Sequence, residues 1–470
     1  MTDAQGSTPE RATAAEAARK IGRHPGTGEK LRVVILNQYY APDVASTGHL
    51  LHELATELAK ADFEVQVLTS RPSYGPPDTW VDCPMRETKD GVDIRRLWTT
   101  RFSKDNLLGR AANYLSFIVQ LFLRVLFTSR RDTVYLYTTN PPFLAIIGAL
   151  TSMVRRHSYV MLLHDAYPHM AVWVGTIRRR GIAEKVWHFV NRLCYGRAQQ
   201  SIVLCQKARE LVSEEYMVKP ELVHVIPNWA DGTELTRRSK KDSVFATRHD
   251  LQDHFVVLYS GNIGLYYEFE TIMDAAERLV DDPFRLVLVG GGGKKAWIAD
   301  QIEQRELHNT KLLNYVPFPE LPDSLSAADA SLVSIAEGIE GISFPSKLYT
   351  SLAVGRAIVA LSEPDSELRE LIEHHRVGLW CELGDSDRME ANIREMMRDP
   401  ARCDRMGHRA RRLFERAFTK ETCAERYAGV LEMAHPLTLV RGGVTNEGIG
   451  AQLEVEDDET DVASASAQGA

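Results

Sequence analysis

The chain has 470 residues, 44% hydrophobic and 26% charged, the composition of an ordinary soluble protein large enough for two or three domains. Its formal charge is −8, but residues 454–461 hold six acids and no base, and removing those six leaves about −2 for residues 1–453. A nearly neutral body argues against nucleic acid as a partner. Six cysteines (Cys83, Cys194, Cys205, Cys381, Cys403 and Cys423) lack any C-x-x-C spacing. That is the pattern of reduced thiols in a cytoplasmic protein, and no zinc site or disulfide framework is expected.

Residues 1–30 are rich in Ala, Gly, Thr and charge, with no apolar run after the basic residues, so a disordered arm is expected and not a signal peptide. The first strand pattern is Leu31 to Leu36. It is followed by a loop through Ser46, Thr47 and Gly48, then Leu50, Leu51, Leu54 and Leu58 at helical spacing, then a second strand from Phe63 to Leu68. Strand, small-residue loop, helix, strand opens a doubly wound domain, in which the first loop borders a cleft beyond the strand ends. No G-x-G-x-x-G follows the first strand, so this is not the dinucleotide fingerprint.

Residues 112–128 form the most apolar helical pattern, interrupted by Gln120 and Arg124 and closed by Arg130 and Arg131. Seventeen residues are too few to span a bilayer. Two places remain for this helix: packed on the sheet, or lying in an anionic membrane surface with Arg101, Lys104, Arg110, Arg124, Arg130 and Arg131 near the headgroups. A second apolar segment, Phe143 to Val154, is also too short to span. The strand Tyr159 to Leu163 ends at His164 and Asp165, a titratable pair where the catalytic groups of open α/β sheets collect. His164 is a candidate to bind a sugar hydroxyl or accept a proton; the competing role is a structural His–Asp pair. Strands follow at Ser201 to Cys205 and Val223 to Pro227, and turn-rich residues 227–231 mark a linker.

A second α/β series starts with Phe255 to Tyr259 and Ser260-Gly-Asn-Ile-Gly264. A helix from about Glu268 to Leu279 and the strand Arg285 to Val289 lead to Gly290-Gly-Gly-Gly-Lys-Lys295. Two glycine loops after strands can present backbone amides to phosphate oxygens, with Lys294 and Lys295 as point charges. No Walker A motif occurs. Further on, Pro345 and Ser346 read as a helix start with Ser346 as cap, Leu348, Leu352 and Ala353 as its apolar face, Gly355 as a left-handed end, and Ala357 to Leu361 as a buried strand. Lys347 then sits in the first turn, where its charge opposes the helix dipole unless an anion binds beside it. The plainer alternative is a surface lysine.

Taken in order, Ser260-Gly-Asn-Ile-Gly264, Val289-Gly-Gly-Gly-Gly293, Asn314-Tyr-Val-Pro-Phe-Pro319 and Phe344-Pro-Ser-Lys347 through Gly355 resemble glycosyltransferase family 4. So do Gln38-Tyr-Tyr-Ala-Pro42 with Thr47-Gly48, and His164-Asp165 with Pro168. The resemblance covers about residues 31–435 and is nearest to the bacterial exopolysaccharide and O-antigen branch, of the colanic acid and N-acetylfucosamine transferase kind. It implies an α/β GT-B fold: two Rossmann-like doubly wound domains with a cleft between them. The expected arrangement is an acceptor domain over 31–226, a linker over 227–231, a donor domain over 232–413, a helix returning to the first domain over 414–436, and a disordered acidic tail over 437–470.

The same resemblance implies a retaining, metal-independent hexosyltransferase with no cofactor. Its donor would be a nucleotide-diphosphate sugar, UDP before GDP, and its acceptor a saccharide or polyprenyl-linked saccharide at the inner face of the membrane. Carried over residue by residue, the donor site is Gly261, Asn262, Gly264, Gly291, Lys294, Val316, Ser346, Lys347, Tyr349 and Thr350. Thr47 and Gly48 lie toward the acceptor, and His164 and Asp165 at the chemistry. The chain departs from the family at two places. The paired glutamates of many members fall on Ile342 and Thr350, with Glu337 and Glu340 upstream as candidate substitutes that the spacing does not single out. The usual basic residues after the first donor-domain strand are Asn262 and, approximately, Tyr267. Two rivals stand beside this reading: a UDP-N-acetylglucosamine 2-epimerase-like enzyme, which shares the fold, and a non-catalytic nucleotide-sugar-binding subunit, which the missing glutamates favour.

Overall fold

The computed structural model describes residues 21–23, 28–43, 46–73, 80–102 and 107–436. Most of the expected arm and all of the acidic tail lie outside the described residues, as does Lys104. Two parallel sheets organise the chain. The first contains β1 (Arg32–Leu36), β2 (Glu64–Ser70), β3 (Arg86–Lys89), β4 (Val92–Leu97), β5 (Thr133–Thr138), β6 (Ser158–Leu163), β7 (Gln200–Val203) and β8 (Val223–Val225). Its order is β3-β4-β2-β1-β5-β6-β7-β8, and only the edge strand β3 runs antiparallel. The second contains β9 (Phe255–Asn262), β10 (Phe284–Gly291), β11 (Thr310–Leu313), β12 (Ala330–Ser334), β13 (Ala357–Ser362) and β14 (Gly378–Glu382), in the order β11-β10-β9-β12-β13-β14. That is the doubly wound order, with its crevice where the strand sequence reverses between β9 and β12.

Both faces of each sheet are covered, which is why the strands are nearly continuous apolar runs. Along β1, Val33 and Ile35 enter one core while Val34 and Leu36 enter the other. The first core lies under the helices Ser46–Lys60 and Lys420–Ala434, the second under Leu107–Thr128, Leu144–Arg155, Ile182–Arg197 and Gln206–Glu215. In the second sheet Val256 and Leu258 oppose Val257 and Tyr259 in the same way.

Several elements differ from the sequence expectation. The central strand β5 was not read from the sequence, because its Thr-Val-Tyr-Leu-Tyr-Thr run sits between two stronger apolar helices. The helix read over 112–128 spans Leu107–Thr128, 22 residues, so its length does not exclude a membrane span. One stripe of it, Phe117, Leu121 and Val125, is buried in the core of the first domain, and the helix packs beside Leu144–Arg155. The helix returning to the first domain starts at Lys420, since Phe414 belongs to the preceding helix Pro400–Ala417 in a core of the second sheet. Residues 227–231 are held, not loose. Trp229 is buried and donates to Glu53, Ala230 bridges to Thr419, and Asp231 pairs with Lys420 at 2.5 Å. The chain's two crossings between the sheets therefore run side by side.

Candidate functional site

The glycine loops begin inside the strands. Gly290 pairs with Gly261 and Gly291 with Asn262 in the β9–β10 register, and Ile263 N–H donates to the Gly291 carbonyl at 2.8 Å. A Cβ on Gly290 would lie 1.8 Å from the Gly261 oxygen, and one on Gly292 2.3 Å from the Ile263 oxygen. The glycines thus let the two strand ends close on each other, which is a packing requirement before it is a ligand requirement. Gly261, at φ +136°, lies against the Lys347 side chain, and the half-buried Val316 packs on a core of the second sheet. Gly264 is buried beside the Asn262 amide. Tyr315 stands over Gly291, its hydroxyl donating to the Gly291 carbonyl.

Lys347 opens the helix Lys347–Ala353, and the structure overturns the surface-lysine alternative. Its residue exposure is only 9%. The ammonium lies 3.2 Å from the centre of the Tyr267 ring and 4.7 Å from that of Tyr259. Among the described residues no carboxylate pairs with it, and burial holds its pKa well below the usual lysine range. A buried cation held only by aromatic faces is costly until an anion arrives. Ser346 lies at the helix start in helical conformation, and its hydroxyl does not cap the helix. The Thr350 hydroxyl is spent on the Lys347 carbonyl.

From the first sheet, His164 and Asp165 emerge at the end of β6. Both of their N–H groups donate to the Thr139 hydroxyl, at 3.3 and 3.2 Å. The two side chains do not form the structural pair. Nδ1 of His164 is buried without a hydrogen-bond partner, and burial pushes the ring down to about 4. Burial raises the Asp165 carboxyl, with Ser343 of the second domain opposing the shift. Its charge also reaches the phenols of Tyr266 and Tyr267. Around this point the domains touch repeatedly: Ala166 N–H donates to the Ile342 carbonyl at 2.7 Å, Trp173 to the Glu337 carbonyl at 3.1 Å, and His49 meets Phe318 edge-on. These contacts bring His164 and Asp165 up to residues 341–344, the segment that leads into the helix opened by Lys347.

Four expectations need correction. Tyr349 is 1% exposed, packed against Phe344 and Phe418, and belongs to the core and not to a donor site. Lys294 spends its charge on Glu270, 3.3 Å away. Gly48 lies inside the first turn of Ser46–Lys60, where a Cβ would come within 3.1 Å of the Tyr39 and Tyr40 backbone, so it is a packing glycine; Thr47 beside it is half-buried. Glu340 does not stand in for the missing glutamates. Its carboxylate accepts from Glu367 N–H at 2.6 Å and lies 3.6 Å from Lys207. Ser343 and Tyr266 were missed; their only sequence signal is proximity to the glycine loop and to the Pro-Ser-Lys run.

Residues 47–229 match the family model "Glycosyl transferase 4-like domain", and residues 242–413 match "Glycosyl transferases group 1". The chain belongs to glycosyltransferase family 4. This glycosyltransferase is 24% identical over 361 residues to WbjE of Pseudomonas aeruginosa, named as a glycosyltransferase, covering 75% of this chain and 86% of that protein. It is 26% identical over 352 residues to WcaI of Escherichia coli K12, named for colanic acid biosynthesis, covering 73% and 86%. Among solved structures, Anabaena HepE in complex with UDP superposes with a TM-score of 0.63 at 18% identity, over 85% of this chain and 99% of that one. At that identity the likeness establishes the GT-B fold.

Proposed function

We propose that this glycosyltransferase moves a hexose, with retention of configuration and without a bound metal, from a UDP-sugar to a saccharide or polyprenyl-linked acceptor. The pathway would be one that builds a cell-surface polysaccharide, and the site of action the cytoplasmic side of a membrane. The observation that carries this is Lys347, a buried cation without a carboxylate partner, set against Gly261 at the reversal of strand order. A diphosphate there would receive charge stabilisation as the leaving group separates, together with backbone amides of the adjoining loop. The names of WcaI and of the HepE–UDP complex agree with this choice of pathway and nucleotide. Opposite, His164 would contact the transferred sugar, and Asp165 would fix the loop that carries it.

The rival reading, a nucleotide-sugar-binding subunit, draws on Ile342 and Thr350 in the usual glutamate slots. A thermal-shift screen against UDP, GDP, ADP and their sugar conjugates tests the donor, since a ligand of the native state raises Tm by mass action. A selective UDP shift, with UDP released as the sugar is transferred when acceptor is present, is the expected result. Binding without any transfer would support the subunit, and no shift with any nucleotide would remove the donor assignment.

A further inference from the structure

The helix Leu107–Thr128 has two apolar stripes. One, Phe117, Leu121 and Val125, is buried in the domain core. The other, Leu115, Val119, Leu123 and Phe127, repeats every four residues on the opposite side and is open to solvent, Phe127 being 74% exposed. A helix apolar all round needs cover on both sides. Its neighbours on the same face of the sheet repeat the pattern. Ile182–Arg197 exposes Ile182, Val186, Phe189 and Leu193, with Ile182 at 84%, and between the two helices Leu144–Arg155 exposes Leu150, Met153 and Val154. Eleven large apolar side chains thus share one outer surface, far more than the scattered exposed residues of an ordinary monomer.

The charge around this surface is one-sided. Residues 107–199 contain twelve arginines and lysines against three carboxylates, in a chain whose overall formal charge is −8. Arg131, Arg155, Arg156 and the run Arg178 to Arg180 are exposed at the helix ends, and among the described residues none of their guanidinium groups pairs with a carboxylate. Two copies meeting through this face would set basic rim against basic rim. An anionic lipid surface complements both the apolar stripes and their rim.

We infer that the three helices Leu107–Thr128, Leu144–Arg155 and Ile182–Arg197 form one membrane-docking face that sinks its apolar stripes into an anionic lipid monolayer. This extends the reading of a membrane-bound acceptor from one helix to a whole domain face. At the edge of the face an open pocket runs inward past Phe143, Trp187 and Val190 to Thr139, whose hydroxyl holds the backbone of His164 and Asp165. Phe143 stacks on Trp187 at 4.1 Å and is itself exposed, so the apolar surface is continuous with the mouth of this pocket. Docked this way, the domain that carries His164 and Asp165 lies at the monolayer in which a lipid-borne saccharide is anchored.

The test is flotation of the full chain with phosphatidylglycerol-containing vesicles and with pure phosphatidylcholine vesicles, at low and high salt. Two triple variants accompany the wild type: Leu123→Ser with Phe127→Ser and Phe189→Ser, and Arg178→Gln with Arg179→Gln and Arg180→Gln. All six sites are exposed, so both variants should fold. Wild type should float with anionic vesicles only. The arginine variant should bind on the order of 100-fold more weakly, and the serine variant about 10-fold or more weakly at every salt concentration. No binding to anionic vesicles at low salt would overturn the inference. So would a serine variant that binds as wild type does, or a wild-type dimer that the serine variant dissociates while neither binds lipid. The UDP-induced Tm shift is read on the same samples. Its loss in wild type would sink the transferase reading alone, whereas normal UDP shifts without flotation would sink the docking face alone.

Discussion

The Lys347 ammonium rests 3.2 Å from the centre of the Tyr267 ring, on the second domain's side of the cleft. Lys347→Met keeps the length of the side chain and removes the charge, so folding and binding should move in opposite directions. The variant is expected to be ~1–2 kcal/mol more stable than wild type at pH 7, the net of a removed desolvation cost and a lost cation–π contact. Because the folded-state pKa is depressed, the unfolded chain holds this proton more tightly. The wild-type deficit should therefore shrink as pH rises toward the ordinary lysine range. Calorimetry should show the Tm gain together with loss of at least 100-fold in UDP affinity (about 2.7 kcal/mol). Unchanged UDP affinity would remove Lys347 from the donor site.

His164 gives a prediction on the acid side. Its folded pKa is pushed down by burial to about 4, against an ordinary value near 6.5. The stability this neutral ring retains is complete above pH 6.5 and is lost as pH falls through 4. His164→Gln should therefore flatten the fall of Tm between those pH values relative to wild type, by about one proton's worth of linkage. As a general base or sugar contact, its replacement should lower kcat/KM by roughly 10²-fold or more. Wild-type turnover in His164→Gln would make the residue structural.

The two strand ends supply a steric contrast. Gly290→Ala forces a Cβ into the Gly261 carbonyl and should cost roughly 4 kcal/mol or prevent folding. Gly338, at φ +69°, has open space around its Cα, so Gly338→Ala should cost only about 1 kcal/mol of left-handed strain. Urea unfolding of both variants distinguishes packing from mere backbone preference, and equal costs would contradict the close approach of β9 and β10.

Glu340 belongs to the domain interface. Burial raises its pKa to about 7, with Lys207 opposing. The stability of this raised acid is present below about 4.5 and lost as pH rises through 7. Glu340→Gln keeps an acceptor for the Glu367 N–H, so it should match wild type at pH 5 and exceed it at pH 8 in a Tm series. A variant less stable than wild type at pH 8 would show that the Lys207–Glu340 ion pair outweighs the desolvation.

The α/β alternation, the helix and strand around Gly355 and the placement of His164 at a strand end were legible because they depend on local periodicity and backbone freedom. Gly355 does take the left-handed conformation expected for a helix end, at φ +64°. Less legible were roles decided by what lies across the sheet. Lys294 and Lys347 are both lysines that the sequence offers as charges for a donor diphosphate, yet Glu270 neutralises one and nothing among the described residues neutralises the other. Tyr349 and Tyr267 are both tyrosines near the donor loops, and only the second faces the cleft.

By itself the sequence determined that two doubly wound sheets would form, that glycines would stand at the ends of β9 and β10, and that Lys347 would open a helix, since each follows from spacing along a few residues. The tertiary structure decided which of these groups are buried, paired or left unpaired. Strand order, not chain order, brings Asp165 to Ser343 and lays Tyr267 against Lys347, and the side-by-side packing of three helices turns separate apolar stripes into one surface. Burial and charge pairing depend on neighbours distant in the chain, and no local pattern encodes them.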